Sequence, residues 1–114
     1  MAHTFVIFGA SGDLTRRKLI PALYQLCRKN RLPPDTRIVG FSRTPHTHAD
    51  WRAELAESTA KWAGKDFDPQ LWAKFAERIF YQAGDIGHPD DFNRLATFLD
   101  DLEKDPASTR IYYL

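Results

Sequence analysis

Apolar and amphipathic stretches alternate along the whole chain. Four short runs rich in β-branched and aromatic residues predict β-strands. Between these runs, apolar residues recur every three or four positions, which predicts helices with one buried face. The predicted strands cover residues 4–8, 37–41, 79–82 and 109–114.

The first helical pattern runs over residues 14–30 and contains Pro21. Proline has no backbone N–H and clashes with the preceding turn, so it is tolerated only near the start of a helix. We therefore expect one irregular turn over residues 13–19 and a regular helix from about Ile20.

Capping residues predict the starts of the other helices. Thr47, with Asp50 three positions later, resembles a capping box in which Asp replaces the usual Glu. Asp68 followed by Pro69 predicts a cap and a first-turn proline, and Pro89 begins a further helix. The tryptophans fall on helical stripes, so we interpret them as core residues rather than a stacking surface for nucleic acid; they are Trp51, Trp62 and Trp72.

Strands that alternate with helices predict an α/β fold, a doubly wound (Rossmann-like) parallel sheet with helices on both faces. Right-handed crossovers give the strand order 3-2-1-4. The last residues, RIYYL, have the character of a strand in mid-course. We therefore expect residues 1–114 to be an incomplete domain, truncated after about four strands, and an amino-terminal piece of a longer protein.

Composition narrows the class of protein. The 114 residues carry a net charge of +1, which provides no bulk attraction to nucleic acid or to an anionic membrane surface. The single cysteine, Cys27, excludes an internal disulfide and suits a reducing compartment. The chain shows neither a signal peptide pattern nor an apolar run long enough to span a membrane, so we expect a cytoplasmic protein.

Gly9 and Gly12 lie between the first strand and the first helix, where doubly wound folds bind phosphate. Gly9 allows a sharp turn, and Gly12 leaves room for a pyrophosphate beside the helix amides. The spacing is G-x-x-G rather than G-x-G-x-x-G, with Thr15 where a third small residue is usual. An ordinary glycine turn is the alternative.

Asp13 is unusual beside such a turn, because a carboxylate repels phosphate. We interpret it as a helix cap paired with Arg16, Arg17 or Lys18. Alternatively, Arg17 or Lys18 faces the ligand, and a solvated helix face explains the basic triplet equally well.

The second strand ends in Ser42-Arg43-Thr44, where such folds contact the adenosine ribose. An acid here selects NAD, whereas an arginine suits the 2′-phosphate of NADP. Arg43 therefore favours NADP, with a surface arginine as the alternative, and Ser11 has a hydroxyl for the same phosphate. After the third strand, Asp85 and Ile86 occupy the usual position of the adenine edge, although a turn-forming Asp is an equal explanation.

The stretch FGASGDLTRRKLIPALYQL, followed by IVGFSRT, resembles the glucose-6-phosphate dehydrogenase family. Arg43 matches the arginine that contacts the NADP 2′-phosphate in that family. The family's glycine turn and following basic helix match at Gly9, Ala10, Ser11, Gly12, Asp13, Leu14, Lys18, Leu19, Pro21, Ala22 and Leu23. The resemblance is strongest over residues 5–44 and loose over 45–108, and Thr15 departs from the usual alanine.

The resemblance implies oxidation of glucose 6-phosphate to 6-phosphoglucono-lactone with hydride transfer to NADP, in an oligomeric enzyme of the pentose phosphate pathway. Residues 9–14 would form the phosphate turn, Ser11 and Arg43 would hold the 2′-phosphate, and Lys18 would lie toward nicotinamide and substrate. The family's general-base histidine and sugar-phosphate motif lie downstream, so the resemblance implies that no catalytic residue is present and that the isolated chain is inactive. We expect surface or turn positions for His3, His46, His48 and His88.

Two alternatives remain open at the level of sequence. One is a stand-alone NADP-binding or regulatory module that keeps only the fold. The other is a different NADP enzyme, such as a short-chain reductase or a sugar-nucleotide epimerase.

Overall fold

A computed structural model describes residues 3–10, 12, 15–32, 36–85, 87–103 and 109–113. Its strands are β1 (His3–Phe8), β2 (Thr36–Ser42), β3 (Ile79–Ala83) and β4 (Thr109–Tyr113). All pair in parallel, in the order β3-β2-β1-β4. The predicted strand order is confirmed, and each observed strand agrees with its predicted range to within one residue at either end.

One turn of π-helix, Thr15–Leu19, separates the glycine turn after β1 from helix α1 (Ile20–Arg28). Pro21 is the second residue of α1, and its missing N–H removes a hydrogen bond from the backbone ladder at this point. The predicted irregular turn is therefore confirmed over its described residues 15–19, although α1 ends two residues before the predicted end.

The predicted caps are also confirmed. Helix α2 spans His48–Ala63, and the amide of Asp50 donates to Thr47 Oγ1 at 3.0 Å. A short 3-10 turn follows at Gly64–Asp66, and then helix α3 spans Pro69–Ala76. The amide of Gln70 donates to Asp68 Oδ1 at 3.0 Å, and helix α4 spans Pro89–Leu102.

The helices cover both faces of the sheet. Because side chains alternate along a strand, Ile7 packs with α1, α2 and α3 on one face, while Val6 packs with α4 on the other. Cys27 is half-buried against the larger of these two cores. None of the described helices combines the length and apolar character that a membrane span requires.

One core prediction is wrong. Trp51 and Trp72 are buried, but the side chain of Trp62 is 57% exposed in the last turn of α2. There it lies beside the polar side chains of Arg17 and Lys61, and Thr59 occupies the buried face of the preceding turn instead.

Helix α2 covers the outer edge of β3. His48 Nδ1 accepts the amide of Tyr81 at 2.8 Å, and Arg52 Nε donates to the carbonyl of Ile79 at 2.8 Å. Both backbone groups point away from β2, and the two helical side chains lie one turn apart on the same face. This edge of the sheet is thereby closed to further strand pairing.

Candidate functional site

The carboxyl ends of β1, β2 and β3 meet at a cleft of about 300 Å³. Its described lining comes from the ends of these strands and from the loops that follow them. In parallel α/β sheets this edge is the usual position of a ligand. The lining residues are Phe8, Gly9, Gly12, Phe41, Ser42, Arg43, Gly84 and Asp85.

The glycine turn has the backbone geometry that its residues predict. Gly9 has φ +69°, a region that L-residues with a side chain rarely adopt. A Cβ atom at Gly9 would meet no protein atom within 4 Å, whereas one at Gly12 would lie 3.3 Å from the carbonyl oxygen of Gly9. The conformation requires glycine at the first position, and close packing of the turn favours it at the second.

Three amides of this turn are already engaged within the protein. The amides of Gly9 and Ala10 approach the carbonyl oxygen of Phe41 at 2.9 and 3.4 Å, and the amide of Gly12 donates to Gly9 at 3.0 Å. The two contacts with Phe41 attach the turn to the end of β2, and the third hydrogen bond closes the turn on itself.

Arg43 follows β2 directly and lines the cleft with an exposed side chain. No carboxylate among the described residues forms an ion pair with Arg43. An exposed guanidinium at this position can form two parallel hydrogen bonds to a phosphate.

Asp85 forms the turn after β3 and also lines the cleft. Its Oδ1 accepts the amide of Gly87 at 2.9 Å, and its own amide donates to Asp91 Oδ2 at 2.9 Å. The turn-forming role considered from the sequence is therefore confirmed. The adenine-edge role stays a prediction.

The other predicted site residues that the structure describes do not line the cleft. Ala10, in the glycine turn, is fully buried, while Thr44 and Lys18 are exposed. Four predicted positions fall outside the described residues: Ser11, Asp13, Leu14 and Ile86.

Sequence reasoning missed the aromatic wall of the cleft. The rings of Phe8 and Phe41 meet edge to face with centroids 5.9 Å apart. Gly84 lies against this wall, because a Cβ atom there would be 2.7 Å from Cε2 of Phe41. The available signal was an aromatic residue near the end of each of two adjacent strands.

The histidines divide into different environments. His88 is exposed and His46 lies 3.4 Å from the Glu54 carboxylate, as expected for loop residues. The surface expectation is wrong for His48, which is half-buried and accepts a hydrogen bond from β3. His3 also differs from expectation, because it lies in β1 and is partly buried.

Comparison with known proteins decides the family. Residues 6–114 match the family model described as the glucose-6-phosphate dehydrogenase NAD-binding domain. The chain belongs to the glucose-6-phosphate dehydrogenase family. This membership sets aside the short-chain reductase and epimerase alternatives and supports a nicotinamide cofactor for the domain.

Relatives in this family come from distant organisms. Glucose-6-phosphate 1-dehydrogenase of Chlamydia muridarum is 35% identical over 112 residues, which cover 96% of this chain and 22% of that protein. The enzyme of the same name from Schizosaccharomyces pombe is 36% identical over 110 residues, with 96% and 22% covered. The chain therefore spans about a fifth of the length of these glucose-6-phosphate dehydrogenases.

Solved structures show the same relationship. A glucose-6-phosphate dehydrogenase in complex with its substrate glucose 6-phosphate superposes with TM-score 0.87 and 30% identity, over 98% of this chain and 24% of that chain. The glucose-6-phosphate 1-dehydrogenase of Mycobacterium avium gives TM-score 0.80 and 26% identity, over 100% and 24%. The fold is that of the amino-terminal part of these enzymes.

Proposed function

We propose that residues 1–114 are the NADP-binding part of a glucose-6-phosphate dehydrogenase. The whole enzyme would oxidise C1 of glucose 6-phosphate to 6-phosphoglucono-lactone, with hydride transfer to NADP. One observation supports this best: the glycine turn and Arg43, remote in sequence, line the same cleft at the edge of the sheet.

The residues present fit a phosphorylated dinucleotide. A side chain at Gly9 would point into open space, so its absence lets a ligand approach the backbone at this position. The turn that Gly9 begins leads into a helix, whose amino end favours negative charge. Arg43 supplies a cation one strand away, and no acid occurs among residues 42–44. A carboxylate at that position would instead have accepted a hydrogen bond from a free ribose hydroxyl, as NAD requires.

Each site residue then has a proposed task. Residues 9–14 would surround the pyrophosphate, Ser11 and Arg43 would hold the 2′-phosphate with Thr44 beside them, and Asp85 and Ile86 would follow the adenine edge. Lys18 would face the reacting end. When bound, NADP supplies the hydride acceptor.

We place the catalytic base outside this chain. His48 is occupied with the backbone of β3, and the other histidines do not line the cleft. The isolated chain would bind coenzyme without turning over substrate. We further propose that the whole enzyme is a cytoplasmic homo-oligomer, in keeping with the family resemblance.

Coenzyme titration of the chain tests this function. Ligand that binds only the folded state at about a hundred times its dissociation constant stabilises it by about 2.7 kcal/mol. We expect NADP to raise the thermal midpoint by several degrees and NAD to have a much smaller effect. Circular dichroism would follow the melt.

A pair of arginine variants makes the test specific. Arg43→Ala should weaken NADP binding about tenfold or more, because it removes charge-assisted hydrogen bonds. Arg31→Ala removes the same charge from an exposed position after α1, outside the cleft, and should have no such effect. Equal stabilisation by NADP and NAD in the unmodified chain would contradict the proposed coenzyme.

A further inference from the structure

The hydroxyl of Tyr81 reaches the backbone on both sides of Arg43. It lies 2.5 Å from the carbonyl oxygen of Thr44 and 3.5 Å from that of Ser42. Tyr81 belongs to β3 and its side chain is 4% exposed. A buried residue of β3 therefore contacts the two chain neighbours of Arg43, which directly follows the adjacent strand β2.

The position of the Tyr81 ring is itself closely determined. Trp51 of α2 packs against it with ring centroids 5.2 Å apart, and His46 meets it edge to face, also at 5.2 Å. The backbone of Tyr81 is held in addition by the hydrogen bond from its amide to His48. The hydroxyl thus projects from a ring that is fixed by two aromatic neighbours and a strand.

Tyr81 holds the end of β2 together with two backbone contacts. The amide of Gly84 donates to the carbonyl of Ser42 at 2.8 Å, and that of Gly9 donates to Phe41 at 2.9 Å. Both of these hydrogen bonds are accepted by residues that precede Arg43 in the chain. The Tyr81 hydroxyl extends this support to Thr44, on the far side of the arginine.

We propose that Tyr81 is a positioning residue for Arg43, and that it contributes in this way to the preference of the site for a 2′-phosphorylated coenzyme. This inference rests on the proposed NADP-binding function. An arginine on a backbone fixed at both ends loses less conformational freedom when it binds phosphate. NAD has no 2′-phosphate, so its binding would not depend on this support.

The protonation state of Tyr81 suits the role. Burial raises the pKa of Tyr81, the Ser42 contact opposes that rise, and the charge of Glu54 adds to it. The hydroxyl therefore remains a hydrogen-bond donor to backbone carbonyls throughout the neutral range.

The test compares dissociation constants for NADP and NAD, measured by calorimetric titration of the chain and of its Tyr81→Phe variant. Losing one hydrogen bond of this kind should weaken NADP binding about three- to tenfold. NAD binding should change less than twofold, so the ratio of the two constants falls. A fall in both affinities by the same factor would overturn the inference, because it would show a general structural effect.

Tyr24→Phe is the matched control. Tyr24 is fully buried and its hydroxyl accepts a hydrogen bond from the amide of Asp68 at 2.9 Å, and neither residue lines the cleft. This variant also removes a buried tyrosine hydroxyl, and it should leave the ratio of NADP to NAD affinity unchanged. An equal change of the ratio in both variants would contradict a specific role for Tyr81.

A double-mutant cycle connects Tyr81 to Arg43. In the Arg43→Ala background, Tyr81→Phe should produce no further loss of NADP affinity, because the group that it positions is absent. Additive losses would overturn the inference. If Arg43→Ala alone left NADP affinity unchanged, the proposed coenzyme site itself would fail, which separates the two hypotheses.

Amide hydrogen exchange provides a readout that needs no ligand. We expect faster exchange at Arg43 and Thr44 in Tyr81→Phe than in the unmodified chain, since the loop is less restrained. Unchanged exchange at both amides would argue against the positioning role even if the affinities moved.

Discussion

Gly40 in the middle of β2 lies directly beneath the indole of Trp51. A Cβ atom on Gly40 would be 2.5 Å from Cη2 of that ring and 2.8 Å from Cβ of Ala10 in the glycine turn. Both distances are far below van der Waals contact. The absence of a side chain at Gly40 therefore allows α2 and the glycine turn to pack on the same point of the sheet.

Gly40→Ala should destabilise the fold by about 1–3 kcal/mol, the usual effect of overpacking a close contact. Urea unfolding monitored by tryptophan fluorescence would measure the loss. Gly87→Ala is the control, because a Cβ there would lie at an ordinary 3.4 Å from Asp85 Oδ1. A Gly40→Ala variant as stable as the control would show that the packing around Trp51 relaxes freely.

Gly9→Ala and Gly64→Ala should each reduce stability by about 1 kcal/mol, because both glycines have positive φ. Neither Cβ would meet a protein atom within 4 Å, so in both variants the strain arises from the positive φ and not from a steric clash. Only Gly9 lines the cleft. We expect NADP affinity, measured by titration, to fall in Gly9→Ala and to stay constant in Gly64→Ala; equal affinities would remove Gly9 from the proposed site.

His48 should make stability depend on pH. Burial, and after it the charge of Arg52, lowers the pKa of His48 from its ordinary value of about 6.5. The unfolded chain then binds this proton more readily than the folded chain, so the stabilising contribution is complete above about pH 6.5 and is lost as the pH falls through the lower folded pKa. A protonated imidazole also cannot accept the Tyr81 amide.

The variant His48→Asn keeps a side-chain hydrogen-bond acceptor for the Tyr81 amide but has no group that titrates in this pH range. Unfolding free energies between pH 7.5 and 5 should therefore fall less steeply in His48→Asn than in the unmodified chain. His88→Asn, at an exposed site, should retain the original slope. Parallel curves for all three proteins would exclude His48 as the source of the dependence.

Arg110 joins β4 to the end of α4. It donates to Glu103 Oε1 and to Asp100 Oδ1, each at 2.6 Å, and the Glu103 side chain is only 6% exposed. Arg110→Met would leave the Glu103 carboxylate buried without this partner, and we expect a loss of about 2–3 kcal/mol in denaturant unfolding.

The double variant Arg110→Met with Glu103→Leu removes both charges. It should recover most of the stability, because no uncompensated carboxylate remains. If the double variant is no more stable than Arg110→Met alone, the loss arises from packing rather than from the unpaired charge.

Local sequence signals were sufficient to predict the helices and strands and some of the residues that line the cleft. Thr47 and Asp68 cap their helices as predicted, and Pro21 lies at the predicted transition from an irregular turn to a regular helix. Gly9 and Arg43, which the sequence predicts as site residues from their positions after two strands, line one cleft. Each of these predictions depends on residues within one or two turns of backbone, or on the known architecture of a doubly wound sheet.

The failures arise where distant elements meet. Trp62 continues the apolar periodicity of its helix, yet its neighbours are Arg17 and Lys61. His48 is the first residue of its helix, where an exposed polar side chain is expected, yet it accepts a hydrogen bond from Tyr81, 33 positions away in the chain. The periodicity of apolar residues indicates which side of a helix is apolar. It does not indicate how far the sheet extends beneath that side.

The sequence by itself determined the order of strands and helices, the turn that Gly9 begins and, through its long matching motif, the family. These properties follow from backbone preferences and from residues close together in the chain. Only the tertiary structure showed that Trp51 packs where a side chain on Gly40 would lie. It also showed that Phe8 and Phe41 form a wall of the cleft and that the Tyr81 hydroxyl contacts the carbonyl of Thr44. These contacts depend on the register of adjacent parallel strands and on the placement of α2, which distances along the chain do not specify.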